Sequence, residues 1–205
     1  MNWVLGFTHA TKAGLALFVG TIQFGIGEIL AEIYYPNYNV SANYISDLGA
    51  TCPTSGACTI FEPTSYIFSA SIIILGLMIL LSAYFIQKSF AWRPASGLMA
   101  IAGVGALGVG LFNETTGIVH GIFSLIVFLF AGLSAIITFW LQKPPLSYIS
   151  IVLGAITVGA LFLYVGSIYL GLGAGGMERM VMYPVLFWGV GFGGHLMGLE
   201  DNPKV

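Results

Sequence analysis

The sequence predicts an all-α membrane protein, a bundle of six transmembrane helices with one extracytoplasmic loop closed by a disulfide. Of its 205 residues, 58% are hydrophobic and only 7% are charged. A soluble domain of that composition and size would have to expose large apolar patches. Because roughly 20 apolar residues cross the hydrocarbon layer, the chain has the length for about six crossings and little else. We therefore expect a single transmembrane domain over residues 1–205.

Apolar runs between polar breaks locate the helices. They are predicted near residues 10–35, 63–86, 94–112, 117–141, 148–172 and 180–198, and the longest loop covers 36–62. The first run lacks a basic leader and a cleavage site, so we expect it to remain as a helix. Pro63 and Pro94 suit the first turn of the second and third helices, where no amide donor is needed. A polar turn at 113–116 precedes the fourth helix, Pro144 and Pro145 precede the fifth, and a glycine-rich break at 173–176 precedes the sixth.

The basic residues predict the orientation, because Lys and Arg are retained on the cytoplasmic side. With the N-terminus inside the cell, five of the six face the cytoplasm: Lys12, Lys88, Arg93, Lys143 and Lys204. Only Arg179 then faces outward. We therefore expect a multi-pass protein of the cell membrane with both termini in the cytoplasm and loop 36–62 outside.

Loop 36–62 contains both cysteines of the chain, Cys52 and Cys58. An outward loop meets oxidising conditions, and the spacing can close a small ring, so a disulfide is expected. Two free thiols are the alternative. A structural metal is disfavoured, because no second pair of soft ligands lies nearby in the sequence.

Acidic residues concentrate in the outward half of this topology. Apart from Glu200 and Asp201 in the tail, they are Glu28, Glu32, Asp47, Glu62, Glu114 and Glu178. Glu28 lies about two turns inside the first helix, at a depth where an unpaired carboxylate is costly. Glu32 follows at i+4 on the same helix face. Such a pair is typical of a proton carrier or a general acid.

Further polar groups are predicted at the same depth. His120 lies just inside the fourth helix with Glu114 in the preceding turn, and Glu178 and Arg179 stand at the mouth of the sixth helix with Tyr183 one turn inside. If these helices surround one cavity, carboxylates, an imidazole and a guanidinium converge near the outer leaflet.

An enzyme acting on a lipid headgroup, or a lipid binder, is the slightly preferred use of that cavity. Glu28 or His120 would be the general base, Glu114 would orient His120, and Arg179 would neutralise phosphate. Residues assigned to catalysis are Glu28, Asp47, Glu114 and His120, and those assigned to substrate binding are Glu32, Glu178, Arg179 and Tyr183. A divalent metal could use the same Glu and His ligands, although no HExxH motif is present.

Three alternatives stay open. A small transporter or proton-coupled carrier would use Glu28 and Glu32 as a relay, but buried titratable groups are missing toward the cytoplasmic end. A structural ion network of Glu28, His120 and Arg179 could instead fix helix register. A b-type haem protein could use His9 and His195, and is disfavoured because three histidines cannot supply two bis-His sites.

Three motifs resemble a prokaryotic family of six-helix membrane proteins known only as a domain of unknown function. They are Asn43-Tyr44-Ile45-Ser46-Asp47-Leu48-Gly49, Gly110-Leu111-Phe112-Asn113-Glu114 followed by His120, and Glu178-Arg179 followed by Tyr183-Pro184. The resemblance implies six helices and a shared outer site containing Asp47, His120, Glu178 and Arg179. It implies no particular activity. Membrane lipids are the expected partners, no nucleic-acid partner is expected, and the oligomeric state is not predicted.

Overall fold

The computed structural model describes residues 7–53 and 55–199. Within them, six helices are long and apolar enough to cross a membrane, which confirms the predicted fold class. They are α1 (His9–Tyr34), α2 (Thr64–Phe90), α3 (Arg93–Leu111), α4 (Ile118–Ile137), α5 (Leu146–Val165) and α6 (Gly173–Met197). A 3-10 turn, Thr138–Leu141, extends α4. Glu200, Asp201 and Lys204 lie outside the described residues.

The predicted bounds of the last two helices were wrong. The α5 helix ends at Val165 rather than at 172, and α6 begins at Gly173 rather than at 180. The intervening chain turns through positive φ angles at Ser167 (56°) and Leu170 (50°). In the sequence, the apolar residues of this segment are indistinguishable from a continuation of the α5 helix. Because α6 starts earlier, Glu178 and Arg179 lie inside its second turn instead of at its mouth.

The second helix is longer than predicted, ending at Phe90 rather than at 86. Its last turn contains Lys88, whose Nζ lies 5.5 Å from the centre of the Tyr84 ring. A long basic side chain can thus remain helical while its charge reaches the interface. Ala91, with φ of 51°, then ends the helix in the left-handed conformation.

The six helices form a ring in chain order. Each helix packs against the next, and α6 packs against α1 to close the ring. The α4 helix also touches α6, so α5 lies outside this pair. A narrow cavity at the centre is lined by α1, α2, α3, α4 and α6.

Four basic residues lie at one end of the bundle, where α1 begins, α2 ends, and α3 and α5 begin. They are Lys12, Lys88, Arg93 and Lys143. Trp92 and Trp140 pack at this same end with ring centres 6.2 Å apart. Aromatic belts of this kind are typical of membrane interfaces.

The loop between α1 and α2 lies at the other end. Its Cys52 and Cys58 form a disulfide, as the sequence predicted. Beside the disulfide, the backbones of Thr51 and Thr59 exchange two hydrogen bonds of 2.9 Å. Residues Ser46–Leu48 form a 3-10 turn whose three side chains are buried. This part of the loop is packed into the protein.

Glycines at the start of α6 let the loop approach its backbone. The Gly175 N–H donates a hydrogen bond of 2.9 Å to the Ser41 carbonyl. A Cβ at Gly175 would overlap the Asn43 carbonyl oxygen. Gly173 has a φ of +78°, and a Cβ there would overlap Ser41. The glycine-rich sequence predicted a helix break here. In the structure these glycines belong to α6 and form the surface on which the loop packs.

Gly175→Ala is expected to lower the free energy of unfolding by about 1–3 kcal/mol, because its Cβ cannot fit without moving the loop. Thermal unfolding of the detergent-purified protein, followed by tryptophan fluorescence, measures the effect. Gly194→Ala is the matched control on the same helix, where an added Cβ meets no described atom of another segment within 4 Å. Equal midpoints for the two variants would contradict the docking of the loop on α6.

Candidate functional site

Arg179 is the centre of a buried hydrogen-bond network at the loop end of the bundle. It is 5% exposed, and its Nη2 donates to Glu32 Oε1 at 2.5 Å and to the Tyr38 hydroxyl at 2.6 Å. Its Nη1 donates to the backbone carbonyls of Val40 (3.0 Å), Asn43 (3.2 Å) and Gly175 (3.1 Å). The guanidinium therefore ties the loop to both α1 and α6 through its two terminal nitrogens. Its buried Nε has no hydrogen-bond partner among the described residues.

Glu28 and Tyr183 form a second contact between α1 and α6. Glu28 is 1% exposed, and its Oε1 accepts a hydrogen bond of 3.1 Å from the Tyr183 hydroxyl. Glu28, Glu32, Tyr183 and Arg179 are thus brought together at one helix interface. None of these four side chains lines the pocket that opens between α4 and α5.

A pocket of about 260 Å³ opens between the loop ends of α4 and α5. Its polar lining consists of Tyr44, Ser46, Glu114, His120, Ser124, Tyr164 and Glu178. Three of the predicted site residues, Glu114, His120 and Glu178, therefore meet around one space. We refer to it below as the outer pocket.

His120 has a fixed tautomer when it is neutral. Its Nδ1 lies 2.7 Å from the Phe112 carbonyl oxygen. Because a carbonyl only accepts, Nδ1 must be the protonated nitrogen, and Nε2 then carries a lone pair. The prediction that Glu114 orients His120 was wrong, since the backbone of Phe112 does so.

Glu114 instead holds the loop over the pocket by accepting a hydrogen bond from the Ser46 hydroxyl. Burial raises the pKa of Glu114, and the negative charge of Asp47 adds to that rise. The Ser46 hydroxyl and the Cys52 N–H oppose it by stabilising the carboxylate. The balance favours the protonated form more than in water.

Glu178 lies deepest among the acids of the outer pocket. It is 4% exposed, and its Oε2 accepts a hydrogen bond of 2.5 Å from the Ile45 N–H. Within residues 7–53 and 55–199, no hydrogen bond to its Oε1 is found. Because Glu178 lines the outer pocket, its carboxyl group can accept a hydrogen bond from a ligand there.

Asp47 shapes the loop and does not line the outer pocket. Its Oδ2 accepts hydrogen bonds from the Tyr44 N–H at 2.8 Å and the Asn43 side-chain amide at 3.2 Å. Burial raises the pKa of Asp47, and these two donors oppose the rise. Its side chain thereby fixes the turn that places Tyr44 and Ser46 over the pocket.

The central cavity of the ring adjoins the outer pocket. Its volume is about 70 Å³, and the two spaces share Ser46, Ser124, Phe128 and Glu178 as lining residues. Most of the remaining lining is apolar. The hydroxyls of Thr21 and Ser134, which also line it, donate to carbonyls within their own helices.

The histidines considered as metal or haem ligands have other contacts in the part of the chain that the structure describes. There, no group of three His, Cys, Asp or Glu residues could hold a metal ion. His9 stacks on Phe85 with ring centres 5.8 Å apart. His195 directs Nε2 to the Leu141 carbonyl oxygen at 3.2 Å.

A family model described as "Protein of unknown function (DUF998)" matches residues 18–195. The chain belongs to this family. The matched region extends from α1 into α6 and includes the loop, the outer pocket and the Arg179 network. Membership confirms the resemblance inferred from the three sequence motifs. No curated protein and no solved structure matches the chain.

Two tyrosines of the outer pocket were not predicted from the sequence. Tyr44 and Tyr164 line the outer pocket and lie 5.9 Å apart between ring centres. Tyr164 is the residue before the end of α5, where the apolar pattern continues. Interfacial tyrosines are too common to indicate a site. Only the three-dimensional packing of loop against α5 brings the two rings together.

Glu32→Gln is expected to lower the free energy of unfolding by about 3 kcal/mol, because it leaves the buried Arg179 charge without its counter-ion. Glu28→Gln is the matched control on the same helix. Its partner is the neutral Tyr183 hydroxyl, so a loss of about 1 kcal/mol is expected. Thermal unfolding in detergent measures both. Equal losses would contradict a special role for the ion pair.

The raised pKa of Glu114 predicts a stability that falls as the pH rises. The folded protein retains the Glu114 proton at a higher pH than the unfolded chain, in which a glutamate has a pKa of about 4.3. The stabilisation is therefore complete below that value and is lost as the pH rises toward the folded-state pKa. Asp47 contributes with the same sign.

Glu114→Gln should flatten this dependence between pH 4 and 8, measured as the thermal midpoint in detergent. Glu62→Gln, at an exposed carboxyl in the same half of the protein, should retain the original slope. A slope that Glu114→Gln leaves unchanged contradicts the assignment.

Proposed function

We propose that this multi-pass protein takes up a lipid-like amphiphile from the outer leaflet of the cell membrane. The polar head would occupy the outer pocket, and part of the chain would enter the central cavity. The observation that carries the proposal is the shared wall of a polar pocket and an apolar cavity, formed by Ser46, Ser124, Phe128 and Glu178.

The rim of the outer pocket supports entry from the lipid phase. Leu125 of α4 is 47% exposed and Val165 of α5 is 68% exposed, and both line the pocket. Exposed apolar side chains of a transmembrane bundle face lipid. A molecule already in the membrane would therefore reach the pocket between α4 and α5.

The central cavity suits a single apolar chain better than a ring system. A water molecule needs roughly 10–15 Å³ of cavity volume, so a cavity of about 70 Å³ accommodates only a slender group. Its satisfied hydroxyls offer no continuous polar path of the kind a carrier needs. This favours the amphiphile over a transported ion.

The basic residues support the assignment to the outer leaflet. Lys12, Lys88, Arg93 and Lys143 lie at the end opposite the outer pocket, and that end is cytoplasmic by the positive-inside rule. The pocket then lies at the depth of headgroups in the extracytoplasmic leaflet.

In this proposal, five of the predicted site residues have two different roles. Glu114, His120 and Glu178 would contact the head, whereas Glu32 and Arg179 would hold the loop that covers it. An enzyme acting on the same head would use His120 Nε2 as its base, since the Phe112 carbonyl fixes the tautomer that such a base requires.

Ala102→Phe tests the proposal by filling the central cavity, which Ala102 lines at 2% exposure. Native mass spectrometry of the protein released from mild detergent should show a retained membrane amphiphile, lost in this variant. Ala155→Phe, an identical change on the exposed face of α5, should retain it. Absence of any bound amphiphile from the unsubstituted protein, or its retention in Ala102→Phe, contradicts the proposal.

A further inference from the structure

We propose that the head group recognised by the outer pocket is a cationic amine and not a phosphate. This inference rests on the amphiphile binding proposed above and specifies the chemistry of the ligand. The geometry that points to it is a pocket lined by Glu114, Glu178, Tyr44 and Tyr164, beside an imidazole nitrogen that can only accept.

The charges around the pocket favour a cation. Its lining includes the carboxyl groups of Glu114 and Glu178 and no lysine or arginine. Arg179 follows Glu178 in the chain, but its two terminal nitrogens donate to Glu32, to Tyr38 and to backbone carbonyls. A phosphate could bind only while both carboxyl groups stayed protonated, because like charges repel strongly where the dielectric is low. An ammonium group instead stabilises their ionised forms.

Glu178 and the neutral ring of His120 offer acceptors to the pocket, whereas its Ser124 and Tyr164 hydroxyls can donate as well as accept. Glu178 lines the pocket, and among the described residues the hydrogen bond found to its carboxyl group goes from the Ile45 N–H to Oε2. His120 directs Nδ1 at the Phe112 carbonyl, so the neutral ring offers the lone pair of Nε2. An ammonium group supplies three donors, whereas a phosphate dianion supplies none. The amine thus supplies donors to the carboxyl and imidazole acceptors that line the pocket.

Two aromatic rings complete the match. Tyr44 and Tyr164 both line the pocket and meet edge to face, with ring centres 5.9 Å apart and planes inclined at 82°. The face of an aromatic ring attracts a cation by electrostatics, and the attraction grows where water is excluded. An anion gains nothing from the same surface.

Tryptophan quenching measures this preference directly. Trp188 lines the central cavity at 5% exposure, so a variant with Trp3, Trp92 and Trp140 replaced by Phe reports on a chain that enters the cavity. A second variant that retains only Trp140, which is 61% exposed, reports on partitioning into the surrounding bilayer. Both are reconstituted in phosphatidylglycerol nanodiscs.

The probes are chain-brominated hexadecylamine, hexadecanol and hexadecyl phosphate, and each Trp188 signal is corrected by the Trp140 signal. The amine is expected to quench Trp188 at a concentration at least about tenfold lower than the phosphate, a difference of about 1.4 kcal/mol. Glu178→Gln should remove most of this preference, because its amide can still accept the Ile45 N–H but carries no charge. Glu114→Gln is a second variant for the same purpose, and Glu62→Gln should change nothing.

The outcomes separate the two proposals. Quenching of Trp188 by none of the three probes overturns amphiphile binding itself. Quenching by hexadecyl phosphate or hexadecanol at the same concentration as the amine, or a preference for the amine that survives both Glu178→Gln and Glu114→Gln, overturns the amine assignment and leaves amphiphile binding intact.

Discussion

The buried guanidinium of Arg179 is the constraint on which the loop end of this protein depends. A cation 5% exposed inside a transmembrane helix needs acceptors that the helix itself cannot supply in full. Glu32 provides the counter-charge from α1, and Val40 and Asn43 provide carbonyl oxygens from the loop. The loop is therefore held against the bundle, and its next residues, Tyr44 and Ser46, cover the outer pocket.

Head-group contacts must provide most of the selectivity in such a site. Lipid tails are as apolar as the cavity, so moving a chain from the bilayer into it gains little from the hydrophobic effect. Polar contacts in a dry pocket are stronger than in water, and unsatisfied acceptors are costly. Glu178, which lines both spaces, is therefore the residue at which head recognition and chain entry meet.

The six spans follow from composition and from helix length, which membrane thickness constrains strongly. The disulfide follows from the placement of both cysteines in one loop, and the clustering of acids at the loop end follows from their positions in the sequence. The end of α5 could not be predicted from the sequence. Residues 168–172 are mostly apolar, and such a composition fits either a further helical turn or a loop in the membrane. Acids at the loop end were predictable, but their partners were not. Arg179 bonds mainly to backbone carbonyls, and His120 to the Phe112 carbonyl, and no pattern of residue types marks such acceptors.

Hydrogen–deuterium exchange across the loop between α1 and α2 tests most directly whether the loop is part of the bundle. The amides of Tyr44, Ile45 and Gly49 donate to Asp47, Glu178 and Ser46, respectively. They should exchange slowly, at rates close to those of helix amides, while the exposed residues 55–58 inside the disulfide ring exchange much faster. Uniformly fast exchange from Tyr44 to Gly49 would contradict a docked loop and the pocket that it covers.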